Sequence, residues 1–407
     1  MFFRINEISD LINTCADHWT GASYVTLALS RPVSKCDLLA FAITLESYSM
    51  TKRTCYIHVG PHKTGTTSIQ WFLQENRAEL LKDGYLVPES ETKRGAHHAL
   101  AEALAGLDVG EHRRPLVARS IAAMAETPAR TIIISSEALE GLFRNRQNSK
   151  AFFNRIQELN LQPKLIVFPR NQPQWINSSY SSTVKSFRRS DSFEPGAFGF
   201  AQSPDARFSR WIRLADTHGA ELIARPFNKE TLRRGVIPEF LHSIGITSSR
   251  FRDRAVRRNE AVGPFTVSVA REVLRSIGKE MTWLQAKKCK VELAGYLRQN
   301  NCTDAGYCGL STTLARHIEE ELRCDNDGFA QGVWGKGWAD VFAADVTEQF
   351  TPNDFEVRQP DWFTARRLRR AIGKMKDFAR QTLLDPTLAV EAPWNDVAYR
   401  SGLVSRD

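Results

Sequence analysis

Short apolar segments alternate with helical patterns from about residue 54 onward. Four segments are apolar and partly β-branched, as buried strands are; they span residues 55–59, 131–135, 164–168 and 221–224. Between them, apolar residues recur at the spacing of one helix face. They are Ile69, Phe72, Leu73 and Leu80 after the first strand, and Phe152, Ile156 and Leu159 before the third. Strands separated by helices predict an α/β fold with a parallel sheet and helices on both faces.

The pattern changes beyond about residue 260, where helices continue and no further strand is predicted. We interpret residues 51–260 as the core, 261–345 as a helical continuation of the same domain, and 346–407 as a basic helix with a tail. Residues 1–50 show no clear period, and Met50 precedes the first strand. We interpret this segment as an N-terminal extension or an artefact of start assignment.

Composition narrows the class of protein. With 42% hydrophobic and 25% charged residues in 407, the chain is of globular type, which excludes a fibre, a membrane bundle and wholesale disorder. No span approaches the roughly 20 apolar residues of a transmembrane helix, and no signal peptide is indicated, so we expect a cytoplasmic protein. The net charge of +9 favours anionic partners: nucleotides, acidic polysaccharides, nucleic acid or a lipid surface.

The cysteines predict neither a disulfide framework nor a metal site. There are seven, an odd and sparse set, so reduced thiols are expected. Four of them cluster, but with irregular gaps and no C-x-x-C pair; they are Cys289, Cys302, Cys308 and Cys324. We therefore expect no bound metal.

The most informative segment is residues 58–68, which read His-Val-Gly-Pro-His-Lys-Thr-Gly-Thr-Thr-Ser. It follows an apolar strand and opens an amphipathic helix, the context of a phosphate-binding loop. Gly60 and Gly65 have the spacing of the nucleoside triphosphatase loop G-x-x-x-x-G-K-[ST]. Thr66, however, stands in place of the lysine, and Lys63 lies inside the loop. No obvious strand-end aspartate for magnesium follows, so this is a phosphate loop of another kind.

Residues 60–67 resemble the 5′-phosphosulfate loop of sulfotransferases that use 3′-phosphoadenylyl sulfate (PAPS). In that family an arginine at a strand end and a serine eight residues later bind the 3′-phosphate; this chain has Arg170 and Ser178 in that register. The amino-acid sequence of these segments most resembles bacterial sulfotransferases related to carbohydrate-modifying enzymes, and weak similarity continues to about Phe342. The resemblance implies a P-loop-like fold, PAPS as sulfuryl donor, adenosine 3′,5′-bisphosphate as product, and no metal.

The resemblance also implies the residues that hold the donor. They are Lys63, Thr64, Gly65, Thr66, Thr67, Ser68, Arg170 and Ser178. By analogy with phosphoryl transfer, catalysis is mainly in-line positioning and stabilisation of developing charge. Lys63 would neutralise charge on the leaving oxygen, Thr66 and Thr67 would donate from N–H and hydroxyl groups, and Arg170 would offer a planar fork to a phosphate.

A base must also accept the proton of the acceptor. Glu137 lies just past the second predicted core strand, where the family places a base, and is our first choice, although a carboxylate there is often only a helix cap or surface charge. His97 and His98 open another helical stretch and could face the acceptor; His98 is the alternative base. Lys185 lies on the same helical face as Ser178. The pair Arg258-Asn259 loosely resembles a later family element near the nucleotide.

Residues 366–376 carry a basic face, with Leu368, Ile372 and Met375 on the opposite face. We interpret it as a solvated face above a core-facing stripe, in preference to a surface for an anionic polymer or a membrane.

The sequence thus predicts a PAPS-dependent sulfotransferase acting on an acceptor hydroxyl or amine, on a glycan or a small molecule. The alternatives are a P-loop nucleotide kinase and a non-catalytic binder of nucleotides or anionic polymers. No specific nucleic-acid partner is expected, and peripheral membrane contact is disfavoured. The sequence indicates neither the acceptor nor the oligomeric state.

Overall fold

A computed structural model describes residues 52–247, 251, 262–278, 281–302 and 305–389. The N-terminal extension, Arg258-Asn259 and the C-terminal tail lie outside these ranges. Five parallel strands form one sheet in the order β2-β3-β1-β4-β5. The strands are β1 (Arg53–Val59), β2 (Tyr85–Leu86), β3 (Thr131–Ser136), β4 (Leu161–Val167) and β5 (Glu221–Ala224). The predicted α/β fold with a parallel sheet is confirmed; β2 was missed because two residues carry no periodic signal.

Eleven helices accompany the sheet in the described part of residues 52–247. They are α1 (Thr66–Glu75), α2 (Arg77–Lys82), α3 (His98–Leu104), α4 (Arg114–Glu126), α5 (Ala138–Leu142), α6 (Arg146–Glu158), α7 (Gln172–Lys185), α8 (Phe193–Gln202), α9 (Ser209–His218), α10 (Lys229–Arg234) and α11 (Val236–Ser243). A short 3-10 helix spans Pro204–Ala206.

The sheet separates two apolar cores, as helices on both faces require. Along β1, side chains alternate between the faces: Cys55 and Ile57 pack into one core, whereas Tyr56 packs against the other. From the flanking strands, Ile133 and Ile166 join Tyr56 on that second face. The buried sheet therefore places the carboxyl ends of its strands along one edge, with β1 in the centre.

The first predicted helix is interrupted. The apolar spacing of residues 69–80 predicted one face of a single helix, but α1 ends at Glu75. Asn76 caps this end, and its side-chain Nδ2 and backbone N–H both donate to the Phe72 carbonyl. Leu80 is fully buried from the separate helix α2. The two helices share one core, so periodicity alone did not reveal the break.

The helical addition follows residue 260, as predicted. Its helices are α12 (Pro264–Ile277), α13 (Trp283–Gln299), α14 (Thr312–Trp334), α15 (Trp338–Val341), α16 (Ala343–Val346) and α17 (Trp362–Leu384), with a 3-10 turn at Pro386–Leu388. Several of them share a core with α7 and α8. Within the described ranges, none of the helices is both long and apolar enough to cross a lipid bilayer.

Candidate functional site

The loop between β1 and α1 is shaped by close backbone contacts. A Cβ at Gly60 would lie 2.2 Å from Thr66 Oγ1, so only glycine fits there. Lys63 and Gly65 both have left-handed backbone, with φ of 70° and 82°. A non-glycine residue rarely adopts this conformation, and such alternating geometry turns backbone N–H groups toward a common point. The loop thus has the shape of an anion cradle at the start of α1.

The loop is held from the neighbouring strand by two hydrogen bonds. Arg170, three residues beyond the carboxyl end of β4, donates from Nη1 to the carbonyl of Lys63 at 2.9 Å. Trp175 in the first turn of α7 donates from Nε1 to the carbonyl of His62 at 2.7 Å. Two sequence elements more than a hundred residues apart therefore form one site.

The hydroxyl groups predicted to hold the donor differ in their burial. Thr64 Oγ1 donates to the carbonyl of Pro61 at 2.7 Å, and Thr66 Oγ1 approaches the same oxygen at 3.5 Å. Both side chains are buried, whereas Thr67 and Ser68 are partly exposed on the first turn of α1. Thr64 and Thr66 therefore stabilise the loop with their hydroxyls, and α1 offers the N–H groups of its first turn.

Ser178 lies in the second turn of α7 rather than at its start, three residues beyond Trp175. Residues three apart lie on one side of a helix, so the partly exposed Ser178 shares the face that contacts the loop. Lys185, two turns further on, lies on the same face.

Cations surround Lys63. Burial, followed by the positive charges of Lys185 and Arg170 and then Lys290 of α13, lowers the pKa of Lys63; Glu137 acts in the opposite direction. Burial and the charge of Lys185 likewise lower the pKa of Lys290. Like charges brought close together repel one another, and an anion bound among them would relieve that repulsion.

Two carboxylates act on the pKa of Arg170. Burial lowers the pKa of its guanidinium to about 10, while the charges of Asp345 and Glu348 raise it. Neither carboxylate lies within 4.0 Å of Arg170, although Lys229 pairs with Glu348 at 3.4 Å. Among the described residues, then, Arg170 has a carbonyl and the Phe227 ring as close neighbours, at 2.9 and 5.5 Å.

Glu137 points toward the loop. It occupies the N-cap position of α5 but makes no capping hydrogen bond; instead, its Oε2 lies 3.4 Å from His62 Nδ1. Burial alone would raise the pKa of Glu137, but the charge and hydrogen bond of His62 lower it to about 2. Burial would lower the pKa of His62, but Glu137 raises it to about 9. At neutral pH the two form an ion pair.

The two adjacent histidines have different environments. His97 is fully buried: its Nδ1 accepts from the Ser135 N–H at 3.0 Å, and its Nε2 lies 3.1 Å from the Pro88 carbonyl. Burial lowers its pKa to about 4, so His97 is a neutral structural residue that completes the edge of β3. His98 is half-buried, with Nδ1 2.9 Å from Ser136 Oγ. Of the predicted pair, only His98 is open to the site.

The helical addition supports the β4–α7 turn. Buried Asn171 accepts from Trp338 Nε1 at 2.9 Å and donates to Glu319 at 2.9 Å. Gln172 and Asn326 form a reciprocal pair of amide hydrogen bonds at 2.6 and 3.0 Å. The turn that carries Arg170 is therefore fastened to α14 and α15.

Metal-ligating groups are dispersed in the described part of the chain. No cluster of three or more His, Cys, Asp or Glu side chains that could hold a metal ion lies within it. The four cysteines of the cluster noted in the sequence are free thiols on separate segments, with Cys289 buried and Cys324 exposed.

Several residues of the site were not found from sequence. His62 lies in the quoted loop, but its pairing with Glu137 needs two strands side by side. Trp175 and Asn171 lie between Arg170 and Ser178, and no motif marks their contacts. Lys290 had no signal, because a lysine on an amphipathic helix is ordinary.

Comparisons with known proteins give a distant match. An uncharacterized protein from Archaeoglobus fulgidus is 25% identical over 249 residues, which cover 59% of this chain and 62% of that protein. The chain thus aligns with less than two thirds of the length of this relative. No family model matches the chain. No solved structure matches it either.

Proposed function

We propose that this chain is a sulfotransferase that moves the sulfuryl group from PAPS to an acceptor hydroxyl or amine. The observation that carries the proposal is the hydrogen bond from Arg170 Nη1 to the Lys63 carbonyl. It joins the loop and the strand-end arginine, the two elements that in the sequence resemble the 5′- and 3′-phosphate sites of PAPS enzymes. A ligand with phosphates at both ends of a nucleoside is the natural match for this pair.

The residues present fit such a donor. Its 5′-phosphosulfate would lie at the loop, where the first-turn N–H groups of α1 and the ammonium of Lys63 favour an anion. Its 3′-phosphate would lie near Arg170, whose fork can bind two phosphate oxygens, with Ser178 as an additional donor. The negative charges of the phosphosulfate and the 3′-phosphate would also relieve the repulsion between Lys63 and Lys185.

Catalysis would rest on positioning and charge. The acceptor oxygen or nitrogen forms a bond to sulfur while the bond from sulfur to the bridging oxygen breaks, and the 5′-phosphate leaves with the electron pair. Negative charge therefore grows on the bridging oxygen, and Lys63 is the cation that would stabilise it.

The acceptor proton would pass to Glu137. Its carboxylate is held ionised by His62, 3.4 Å away, and is therefore a weak base. A weak base suffices if proton transfer follows bond formation, because an oxygen bonded to sulfur holds its proton loosely. His98, 2.9 Å from Ser136 Oγ, is the second candidate from the same strand end.

Calorimetric titration tests the nucleotide specificity. Adenosine 3′,5′-bisphosphate should bind, and adenosine 5′-monophosphate should bind at least tenfold more weakly because Arg170 would lose its ligand. Tighter binding of ATP with magnesium would instead favour the kinase, and equal binding of all three would favour a general anion binder. Transfer of labelled sulfate from PAPS to a panel of oligosaccharides, phenols and amines then tests the reaction and finds the acceptor class.

A further inference from the structure

Helix α17 has an outer face that the core does not use. Its buried residues include Ala371, Met375 and Ala379, which are fully covered in the core shared with α12 and α13. Leu368 and Ile372 pack against the same core, so the predicted apolar stripe faces inward. The opposite side of the 23-residue helix faces solvent.

Large apolar side chains are exposed at both ends of this outer face. Trp362 is 61% exposed, Phe363 73% and Leu384 82%. Trp362 and Leu384 are 22 positions apart, about 33 Å along a helix, and six turns bring them to nearly the same side. The two aromatic rings contact each other edge to face, with centroids 5.0 Å apart. A helix that serves only as a solvated surface would not need apolar groups there.

Between the apolar ends, the outer face is basic. The helix contains seven Lys and Arg residues and one acid, Asp377, which is paired with Arg380 at 3.3 Å. Arg366 lies over the Trp362 ring at 5.6 Å, while Arg369 and Arg370 are exposed. The positive charge of this face is therefore left for a partner outside the described chain.

We propose that the outer face of α17, formed by Trp362, Phe363, Arg366, Arg369, Arg370 and Leu384, docks on the surface of an anionic lipid bilayer. Aromatic rings and arginines together match this surface, because rings enter the headgroup layer while guanidinium groups bind lipid phosphates. A dissolved polyanion would use the arginines but leave Phe363 and Leu384 in water. The helix would lie flat, as its length and its two apolar ends require.

Co-sedimentation of the full chain with vesicles tests the docking. Binding to phosphatidylcholine vesicles containing 30% phosphatidylglycerol is expected, with little binding to pure phosphatidylcholine. The variants Trp362→Ser/Phe363→Ser and Arg369→Glu/Arg370→Glu should each weaken binding about tenfold or more. Matched controls elsewhere on the surface, Leu232→Ser and Arg155→Glu, should bind within twofold of the unmodified chain.

Membrane insertion of the rings separates a bilayer from a polyanion. Nitroxide-labelled lipid should quench the tryptophan fluorescence of the bound chain, and Trp362→Phe should bind but lose most of that quenching. The proposal is overturned if phosphatidylglycerol vesicles are not bound, or if Trp362→Ser/Phe363→Ser binds as well as the unmodified chain. Binding to DNA or a sulfated polysaccharide that depends on the arginines but not on the rings would identify a polyanion surface instead.

Discussion

Two arginines of this fold, Arg271 buried and Arg170 half-buried, hold their charges in different surroundings. Arg271 of α12 is 1% exposed, and its Nη1 and Nη2 reach the two oxygens of Asp354 at 2.9 and 2.7 Å. Arg170, at the end of β4, donates to a backbone carbonyl and has no carboxylate within 4.0 Å among the described residues. The first guanidinium is neutralised within the protein, and the second keeps its charge.

The groups around the two arginines differ in the same way as their direct partners. Around Arg271, Tyr180 accepts from Nη1 at 2.9 Å and Tyr307 donates to Asp354 at 2.6 Å, so the ion pair of Arg271 and Asp354 is a closed pair, enclosed with two hydroxyl groups inside the protein. Around Arg170 lie Lys63 and, beyond it, Lys185. Breaking a closed pair leaves a buried charge without its partner and is costly, whereas cations held close together repel one another unless an anion lies among them.

The largest expected effect is on stability, at the closed pair. Arg271→Met leaves the buried carboxylate of Asp354 without its cation, so the free energy of unfolding should fall by about 3–5 kcal/mol. Urea denaturation followed by circular dichroism measures this change. Arg275→Met is the matched control on the same helix: its ion pairs are partly exposed and should cost no more than about 1 kcal/mol. Similar losses in both variants would mean that burial does not make the ion pair of Arg271 more important for stability than the partly exposed ion pairs of Arg275.

At the candidate functional site, the largest effect should be on turnover. Glu137→Gln removes the proposed base, so sulfate transfer should fall by about 10²–10⁴-fold while nucleotide affinity is kept. Initial rates with labelled PAPS, alongside Glu158→Gln as an exposed control, give the comparison. If Glu137→Gln is nearly as active as the unmodified chain and His98→Ala is inactive, the base is His98.

The next largest effect on turnover should come from removal of the loop lysine, Lys63. Lys63→Ala deletes the cation proposed to stabilise the leaving oxygen, so turnover should fall by about 10²–10³-fold. Its unfolding free energy should be unchanged or higher, because repulsion from Lys185 and Arg170 disappears with the charge. Rates and urea curves are measured beside Lys82→Ala, whose ammonium pairs with Glu79 on the surface. Activity within a few-fold of the unmodified chain would remove Lys63 from the mechanism.

Arg170→Ala should affect one ligand more than another. A lost charge-assisted bond is worth roughly 1.5–3 kcal/mol, so affinity for adenosine 3′,5′-bisphosphate should fall about ten- to hundred-fold. Affinity for adenosine 5′-monophosphate should change little, since it lacks the 3′-phosphate. Titration calorimetry of both ligands decides the matter, and equal weakening would assign Arg170 to maintenance of the loop through the Lys63 carbonyl.

The smallest expected effect is a shift in the pKa of His62. The raised pKa of His62, about 9, means that its pairing with Glu137 stabilises the fold fully below the usual histidine value and is lost as pH rises through about 9. The lowered pKa of Glu137, about 2, preserves the pair until pH falls toward that value. In Glu137→Gln, the pKa of His62 should fall below about 9, since the carboxylate that raises it is gone while burial and the charge of Lys63 still lower it. Nuclear magnetic resonance of the histidines measures this, with remote His218 as the control; an unmoved His62 would mean that the pair does not form.

The sequence by itself determined the sheet and the loop. Strands such as 131–135 and 221–224 were found because β-branched apolar runs have few other stable conformations, and the loop at 58–68 because a strand, two glycines and an amphipathic helix follow in order. The short strand β2 and the break at Asn76 escaped, since each depends on a few residues whose partners are distant in sequence.

Only the tertiary structure decided how the charges pair. Glu137 could equally have capped α5, and it meets His62 because β3 lies beside β1 in the sheet. His97 and His98 are adjacent in sequence, yet packing against β3 buries one and leaves the other partly open. Lys290 approaches Lys63 from a helix more than two hundred residues away. Charge interactions depend on distance and burial, which periodicity does not encode, and this is why the elements were predictable and the pairing of their charges was not.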